Sequence, residues 1–220
     1  MTPSKFKLIT GNCIEVLGRA DPLCIDLVVT DPPYLANYVD RTGRSVANDQ
    51  DPKWIEPAFE QIARVLKKGG VCVSFYGWHR AEEFLTVWKR LGLRPVGHFV
   101  WAKAYSSSRR GLLRSTHECA YLLAKGKPQQ PECLINDVLP WSYSGNALHP
   151  TQKPVSALEP LIAAFSKPGD TVLDPFSGSG STGQAALQLE RDYLGIELEA
   201  DYNEVARRRL VRFGTDAAAQ

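Results

Sequence analysis

Ile25-Asp26-Leu27-Val28-Val29-Thr30-Asp31-Pro32-Pro33-Tyr34 is an apolar run, broken only by Asp26, that ends on two prolines. So short a run, rich in valine and isoleucine, reads as a buried strand of a mostly parallel sheet. Pro32 has no N–H to give a central ladder, so the strand stops there. Two consecutive prolines fix two φ angles and keep Asp31 out of helical geometry, which makes the exit from the sheet a stiff, extended turn. Asp31 and Tyr34 then stand three positions apart at the carboxyl end of a strand, where open α/β sheets bind their ligands.

A carboxylate, a prolyl carbonyl and an aromatic face in one stiff turn suit attack by an exocyclic amino group. Such a nitrogen on adenine or cytosine is a weak nucleophile, because its lone pair is delocalised into the ring. Acceptors such as Asp31 and the Pro32 carbonyl would draw its hydrogens out. Tyr34 offers a face for a base, and a base inside a duplex must be flipped out to reach such a pocket. The same residues also read as a strand-ending turn with a packing tyrosine and a capping aspartate. Asp31-Pro32-Pro33-Tyr34 resembles the Asp/Asn/Ser-Pro-Pro-Tyr/Phe signature of the amino-group DNA methyltransferases. The resemblance implies catalytic roles for Asp31, Pro32, Pro33 and Tyr34, S-adenosylmethionine as cofactor and double-stranded DNA as partner. Relatives with Asp in the first motif position act mostly on adenine N6, those with Ser mostly on cytosine N4.

A second anchor lies at 171–183, where a strand ends at Asp174, a glycine-rich turn follows and a helix begins near Ser181. Gly178, Gly180 and Gly183 match Gly-x-Gly-x-x-Gly, and Glu197, at the end of the next strand, lies nineteen residues beyond Gly178. That pattern also fits a nicotinamide dehydrogenase. Charge separates the two readings. Asp174 enters the turn where a pyrophosphate would approach and would repel it, whereas the ammonium and sulfonium of S-adenosylmethionine would be attracted. Glu197 would bond a ribose under either reading.

Asp174-Pro175-Phe176-x-Gly178-x-Gly180 is also similar to the cofactor loop of the permuted, β-group, methyltransferases. His149-Pro150-Thr151-Gln152-Lys153-Pro154 resembles an element of the same group that contacts the methionyl part of the cofactor. The cofactor set this implies is Asp174, Pro175, Phe176, Gly178, Gly180, Ser181, Thr182, Glu197, Thr151 and Lys153, with Asn12 added from a Gly-Asn pair where the family often has Gly-Asp. Asn12 reads equally as a helix cap. Thr116-His117-Glu118 is similar to a His-Glu element before a strand in that family. Tyr121 stands where His-Glu-x-x-His needs its second histidine, so no metal site is expected.

Catalytic half first and cofactor half last is the permuted order, and the resemblance spans residues 8–213. The expected architecture is α/β: a Rossmann-like methyltransferase fold with a seven-stranded, mostly parallel sheet and helices on both faces. Strands are expected near 6–9, 71–75, 96–101, 120–124 and 193–196. Helices are expected near 13–18, 54–66, 81–91, 155–165, 181–189 and 200–213, with 215–220 frayed. One domain over 1–220 fits the length, with a short, irregular target-recognition interval at about 102–148.

Net charge is only +2 over 220 residues, but 101–130 carries six Lys or Arg against Glu118 alone. Lys103, Arg109, Arg110 and Arg114, interleaved with Trp101 and Tyr105, suit a nucleic-acid backbone. Arg41 and Arg44, in the polar loop 35–52 beside the proline turn, would reach phosphates too. Solvated loops are the plainer reading of both stretches. Five cysteines without Cys-x-x-Cys read as reduced, mostly buried thiols. A polar start and the lack of a long apolar run point to a cytoplasmic protein without a membrane segment. A specific DNA contact needs on the order of 1,000 Å2 or more, more than so short an interval offers, so a homodimer is expected. The residues fix neither the recognition sequence nor whether a cognate restriction enzyme is a partner.

Overall fold

In a computed structural model that describes residues 4–38, 43, 47–106, 112–143 and 145–217, the strand Ile25–Thr30 lies in the interior of the sheet. In chain order the elements are β1 (Lys5–Thr10), α1 (Cys13–Gly18), β2 (Ile25–Thr30), α2 (Ile55–Val65), β3 (Leu66–Phe75), α3 (Ala81–Arg90), β4 (Leu93–Lys103) and β5 (His117–Lys125). There follow β6 (Val138–Trp141), α4 (Val155–Phe165), β7 (Thr171–Asp174), α5 (Ser181–Gln188), β8 (Asp192–Glu197), α6 (Ala200–Leu210) and β9 (Thr215–Asp216). The strand order is β6-β4-β5-β3-β2-β7-β8-β1-β9, and β5 runs antiparallel to both of its neighbours while every other pair is parallel.

The sheet therefore has nine strands among the described residues, not the expected seven. Both additions are short edges. β6 lies within the interval read as irregular, and β9 within the tail read as frayed. Four residues containing Pro140, and two residues, carry no usable alternation, and their order comes from pairing with β4 and β1. β3 also begins earlier than expected. The Lys67-Lys68-Gly69-Gly70 stretch that reads as a helix stop is taken up in a register shift, with Ile25 opposite Leu66 but Leu27 opposite Val71. Gly69 allows this at φ +83°, a conformation side chains resist.

Alternation along the strands splits the core in two. Leu27 and Val29 of β2 face Leu158, Leu161, Ala185 and Leu210 of α4, α5 and α6, while Val28 faces Leu17, Phe59 and Ile62 of α1 and α2. Ile55, Phe59 and Ile62 recur on one stripe of α2, and Phe59 meets Trp88 of α3 edge-on with ring centroids 5.6 Å apart. Each such fully buried side chain contributes roughly 1.5–3 kcal/mol relative to exposure. On the opposite face α5 sits tightly on β8: a Cβ on Gly183 would lie 2.5 Å from the Tyr193 ring, so glycine is required for that approach.

The chain leaves β2 for α2 on one face and leaves β7 for α5 on the other, so β2 and β7 are neighbours at the point where the winding reverses. Ligands bind outside the carboxyl ends of strands at such a point. β2, β7, β8 and β1 are adjacent and parallel, which brings Asp31, Asp174, Glu197 and the Gly11-Asn12 turn to one edge. Among the described residues no helix is long and apolar enough to cross a membrane. All five cysteines are free thiols; Cys13, Cys72 and Cys119 are buried, in line with the expectation of mostly buried thiols, while Cys24 and Cys133 are exposed.

Candidate active site

The proline turn after β2 is held from several sides. Pro32 and Pro33 are buried, and Tyr34 donates its hydroxyl to Asp31 Oδ1 at 2.7 Å. Gly77, just past β3, packs so closely that a Cβ there would lie 2.8 Å from the Tyr34 carbonyl oxygen. Leu35 adopts φ +60°, a strained conformation for leucine, fixed by its burial beneath the turn. Asp49 is buried and accepts the Ala36 and Tyr38 amides at 3.1 and 2.7 Å, closing the following loop back onto the turn.

Lys153 reaches this turn across 122 residues of sequence. Its Nζ donates to Asp31 Oδ2 at 2.5 Å, with both side chains mostly buried. Loss of solvent raises the Asp31 pKa, against which Lys153 and the Tyr34 hydroxyl hold the carboxylate form. Burial and the Asp31 charge push the Tyr34 phenol well above its usual value.

Glu197, at the end of β8, forms the opposite wall. It accepts the Gly178 amide on Oε2 at 2.7 Å and the Glu199 amide on Oε1 at 2.9 Å, while burial raises its pKa. Phe176 projects from the glycine-rich turn and meets Trp54 edge-on at 5.2 Å. Asn12 caps α1, accepting the Ile14 amide at 3.0 Å, and also lines the space beneath.

Asp31 to Tyr34, Thr151, Lys153, Pro175, Phe176, Gly178, Glu197 and Asn12 all line one cleft of about 160 Å3. Asp174, Gly180, Ser181 and Thr182, assigned to the cofactor from sequence, do not line it. Asp174 is 3% exposed and accepts hydrogen bonds from Thr30, Phe176 and Thr182, so it organises the loop from below. Burial lifts its pKa to about 7, so at neutral pH it carries only part of a charge. Gly180, at φ +76°, packs on Ala206 of α6, and Ser181 accepts from Arg209 at 3.1 Å. Lys153 lines the cleft but pairs with Asp31, an arrangement the cofactor assignment did not anticipate.

Tyr38, Asp49, His149 and Tyr202 also line the cleft and were not singled out from sequence. His149 opens the His-Pro-Thr-Gln-Lys-Pro element; its ring meets Tyr202 at 4.4 Å and lies beside Gly178. Cys13 lines the cleft too, with burial pushing its thiol up to about 12, away from nucleophilic reactivity.

The proposed DNA-contact set divides. Lys103 is corrected: its side chain is 2% exposed and its Nζ lies 2.5 Å from Glu118 Oε1. Trp101 is a core residue stacked on Phe75 at 4.8 Å. Both face inward because β4 runs through Lys103 rather than ending before it. Arg114 is exposed, while Arg41, Arg44, Arg109 and Arg110 fall outside the described residues. Among the described residues no group of three His, Cys, Asp or Glu could hold a metal ion.

Comparison with known proteins meets this geometry. The profile of the N6/N4 DNA methylases matches residues 25–208, which takes in both walls of the cleft. The chain belongs to this DNA methylase family. It is 48% identical over 204 residues to "Putative methylase YubD" of Escherichia coli (strain K12), covering 93% of this chain and 89% of that one. Among solved structures, this DNA methylase is 25% identical to the M1.HpyAVI-SAM complex, with a TM-score of 0.73, covering 93% of this chain and all of that one. It also shares its fold with the cytosine-N4-specific PvuII DNA methyltransferase, with a TM-score of 0.79 at 16% identity, covering 100% of this chain and 97% of that one.

Proposed function

We propose that this DNA methylase transfers a methyl group from S-adenosylmethionine to the N6 amine of an adenine flipped out of double-stranded DNA. The observation that carries the reading is the pairing in one cleft of the stiff Asp31–Tyr34 turn with the Glu197–Phe176 wall. The fit to the cofactor rests on charge. Asp31, Asp49, Glu197 and Glu199 line the cleft, and Lys153 is the one lysine or arginine among its described lining residues. An acidic cleft favours a cationic ligand and opposes the pyrophosphate of a dinucleotide. Asp174 lies below the cleft and is not one of the acids that line it.

Glu197 keeps lone pairs for ribose hydroxyls after accepting two amides, and Phe176 supplies an apolar face beside it. When bound, S-adenosylmethionine supplies an electrophilic methyl carbon whose bond to sulfur breaks as the bond to nitrogen forms. The chain's own part is to hold the amine. Asp31 and the Pro32 carbonyl accept its two hydrogens, turning its lone pair toward the cofactor side, and Tyr34 offers the stacking face. Transfer needs no enzyme nucleophile. The amine loses one proton as it is methylated, and Asp31 is the acceptor placed to draw it off.

Adenine is favoured over cytosine because Asp31 opens the motif and because a purine presents more face to Tyr34, where stacking is worth roughly 1–3 kcal/mol per base. Cytosine N4 is the second reading, favoured by the shared fold with the PvuII enzyme. We take 1–220 as one domain with residues 102–148 as the recognition interval, acting as a homodimer. Labelled methyl incorporation into duplex DNA, abolished by Asp31→Ala, tests the proposal, and binding of NAD in preference to S-adenosylmethionine would contradict it.

A further inference from the structure

Lys153 belongs to the element that the sequence assigns to the cofactor, yet its ammonium is spent on the opposite wall. Nζ lies 2.5 Å from Asp31 Oδ2, 5.2 Å from the centroid of the Tyr34 ring and 5.0 Å from that of Phe75. The side chain is 9% exposed. A buried ammonium stays charged only among partners of this kind, a carboxylate and aromatic faces. Swinging it away to meet a cofactor carboxylate would leave the mostly buried Asp31 carboxylate with the Tyr34 hydroxyl but without this counter-ion. An ammonium carries three N–H donors and a carboxylate oxygen more than one lone pair, so the ion pair leaves capacity on both partners. A donor and an acceptor thus stand side by side next to the Tyr34 ring.

The geometry points to Lys153 as a base-reading residue: with Asp31 it forms a donor–acceptor pair that complements an amino group next to an unprotonated ring nitrogen. This rests on the reading of the Asp31 turn as the target site. Adenine presents that edge as N6 and N1, and cytosine as N4 and N3. Guanine and thymine place a carbonyl where the amine would be and an N–H where the bare nitrogen would be. Asp31 would then face an acceptor and Lys153 a donor, so both contacts become repulsive. A site built to pair a polar edge rejects a mismatched edge far more strongly than an apolar pocket rejects a change of shape. Lys153 accordingly accounts for selection of the amino bases as a class, and leaves the choice between adenine and cytosine to the size of the slot beside Tyr34.

The test uses duplexes built on the site that the protein methylates in genomic DNA. The target adenine is replaced by 1-deazaadenine, which carries C–H in place of N1, or the target cytosine by 3-deazacytosine. Losing the ring nitrogen makes the amine more electron-rich, so slower transfer reports lost recognition rather than weaker chemistry. Wild type is expected to lose roughly tenfold or more in kcat/KM on the deaza base, the worth of a hydrogen bond to a charged donor. Lys153→Met, slower on the natural base, is expected to treat the two within about threefold of each other and to bind S-adenosylmethionine within about threefold of wild type. Equal wild-type rates on the two bases would overturn the inference, and that arm needs no variant. So would a Lys153→Met protein that keeps the full preference, or one whose main defect is cofactor affinity. Absence of methylation on any duplex by wild type would instead overturn the proposed function.

Discussion

Thr30 Oγ1 donates a 3.0 Å hydrogen bond to Asp174 Oδ1, joining the ends of β2 and β7 across 144 residues of sequence. The same Asp174 oxygen accepts the Phe176 amide at 3.1 Å. One buried acid therefore sets the separation of the proline turn from the glycine-rich loop without touching the cleft between them.

That position gives Asp174 a stability signature. Its folded pKa of about 7 lies well above the roughly 3.9 of an exposed aspartate. The folded state therefore binds more protons than the unfolded state between those values, and wild-type stability falls as pH rises through that window. Asp174→Asn removes this slope while keeping an acceptor for Thr30 and Phe176. The melting temperature of the variant relative to wild type is expected to rise from about pH 4 to pH 7 and then level off. Parallel profiles across that window would show that Asp174 is not a raised, buried acid.

Asp31→Ala should abolish methyl transfer and leave S-adenosylmethionine affinity within a few-fold, because the proposal has Asp31 hold the amine rather than the cofactor. Calorimetric titration beside a transfer assay reads both. Comparable losses in affinity and rate would mean that Asp31 serves the cofactor.

Glu197→Ala should act the other way. Hydrogen bonds to a charged group are worth roughly 1.5–3 kcal/mol, so cofactor Kd should rise about tenfold to a hundredfold. An unchanged Kd would remove Glu197 from the cofactor wall.

Two basic residues from one stretch should part company in DNA binding. Arg114→Ala, at an exposed position, should lower the slope of log affinity against log salt by about 1 for all sequences alike. Lys103→Met should leave the slope alone and destabilise the fold instead. The cost should fall at the low end of roughly 3–5 kcal/mol, because Glu118 keeps some solvent contact. A lowered slope for Lys103→Met would restore it as a phosphate contact.

The proline turn and the glycine-rich loop were legible because each is encoded locally: two prolines end β2, and glycines open the loop before α5. Helix α4 matched its expected range, 155–165, because Pro154 marks its start and Ala157, Leu158, Leu161 and Ile162 keep helical spacing. The partners of Asp174, Lys103 and Lys153 were not legible in the sequence, for a shared reason. Whether a charged side chain faces solvent, a loop or another charge depends on partners 144, 15 and 122 residues away, and local pattern does not carry that. Lys103 looked like part of a basic surface because its neighbours in sequence are basic. Its neighbour in space is Glu118, brought alongside by the antiparallel pairing of β4 with β5.

Mass analysis of nucleosides from duplex DNA incubated with the protein and S-adenosylmethionine addresses the central claim most directly. N6-methyladenine is the expected product, formed by wild type and missing with Asp31→Ala. N4-methylcytosine without N6-methyladenine would contradict the choice of base, and no modified base at all would contradict the assignment of the cleft.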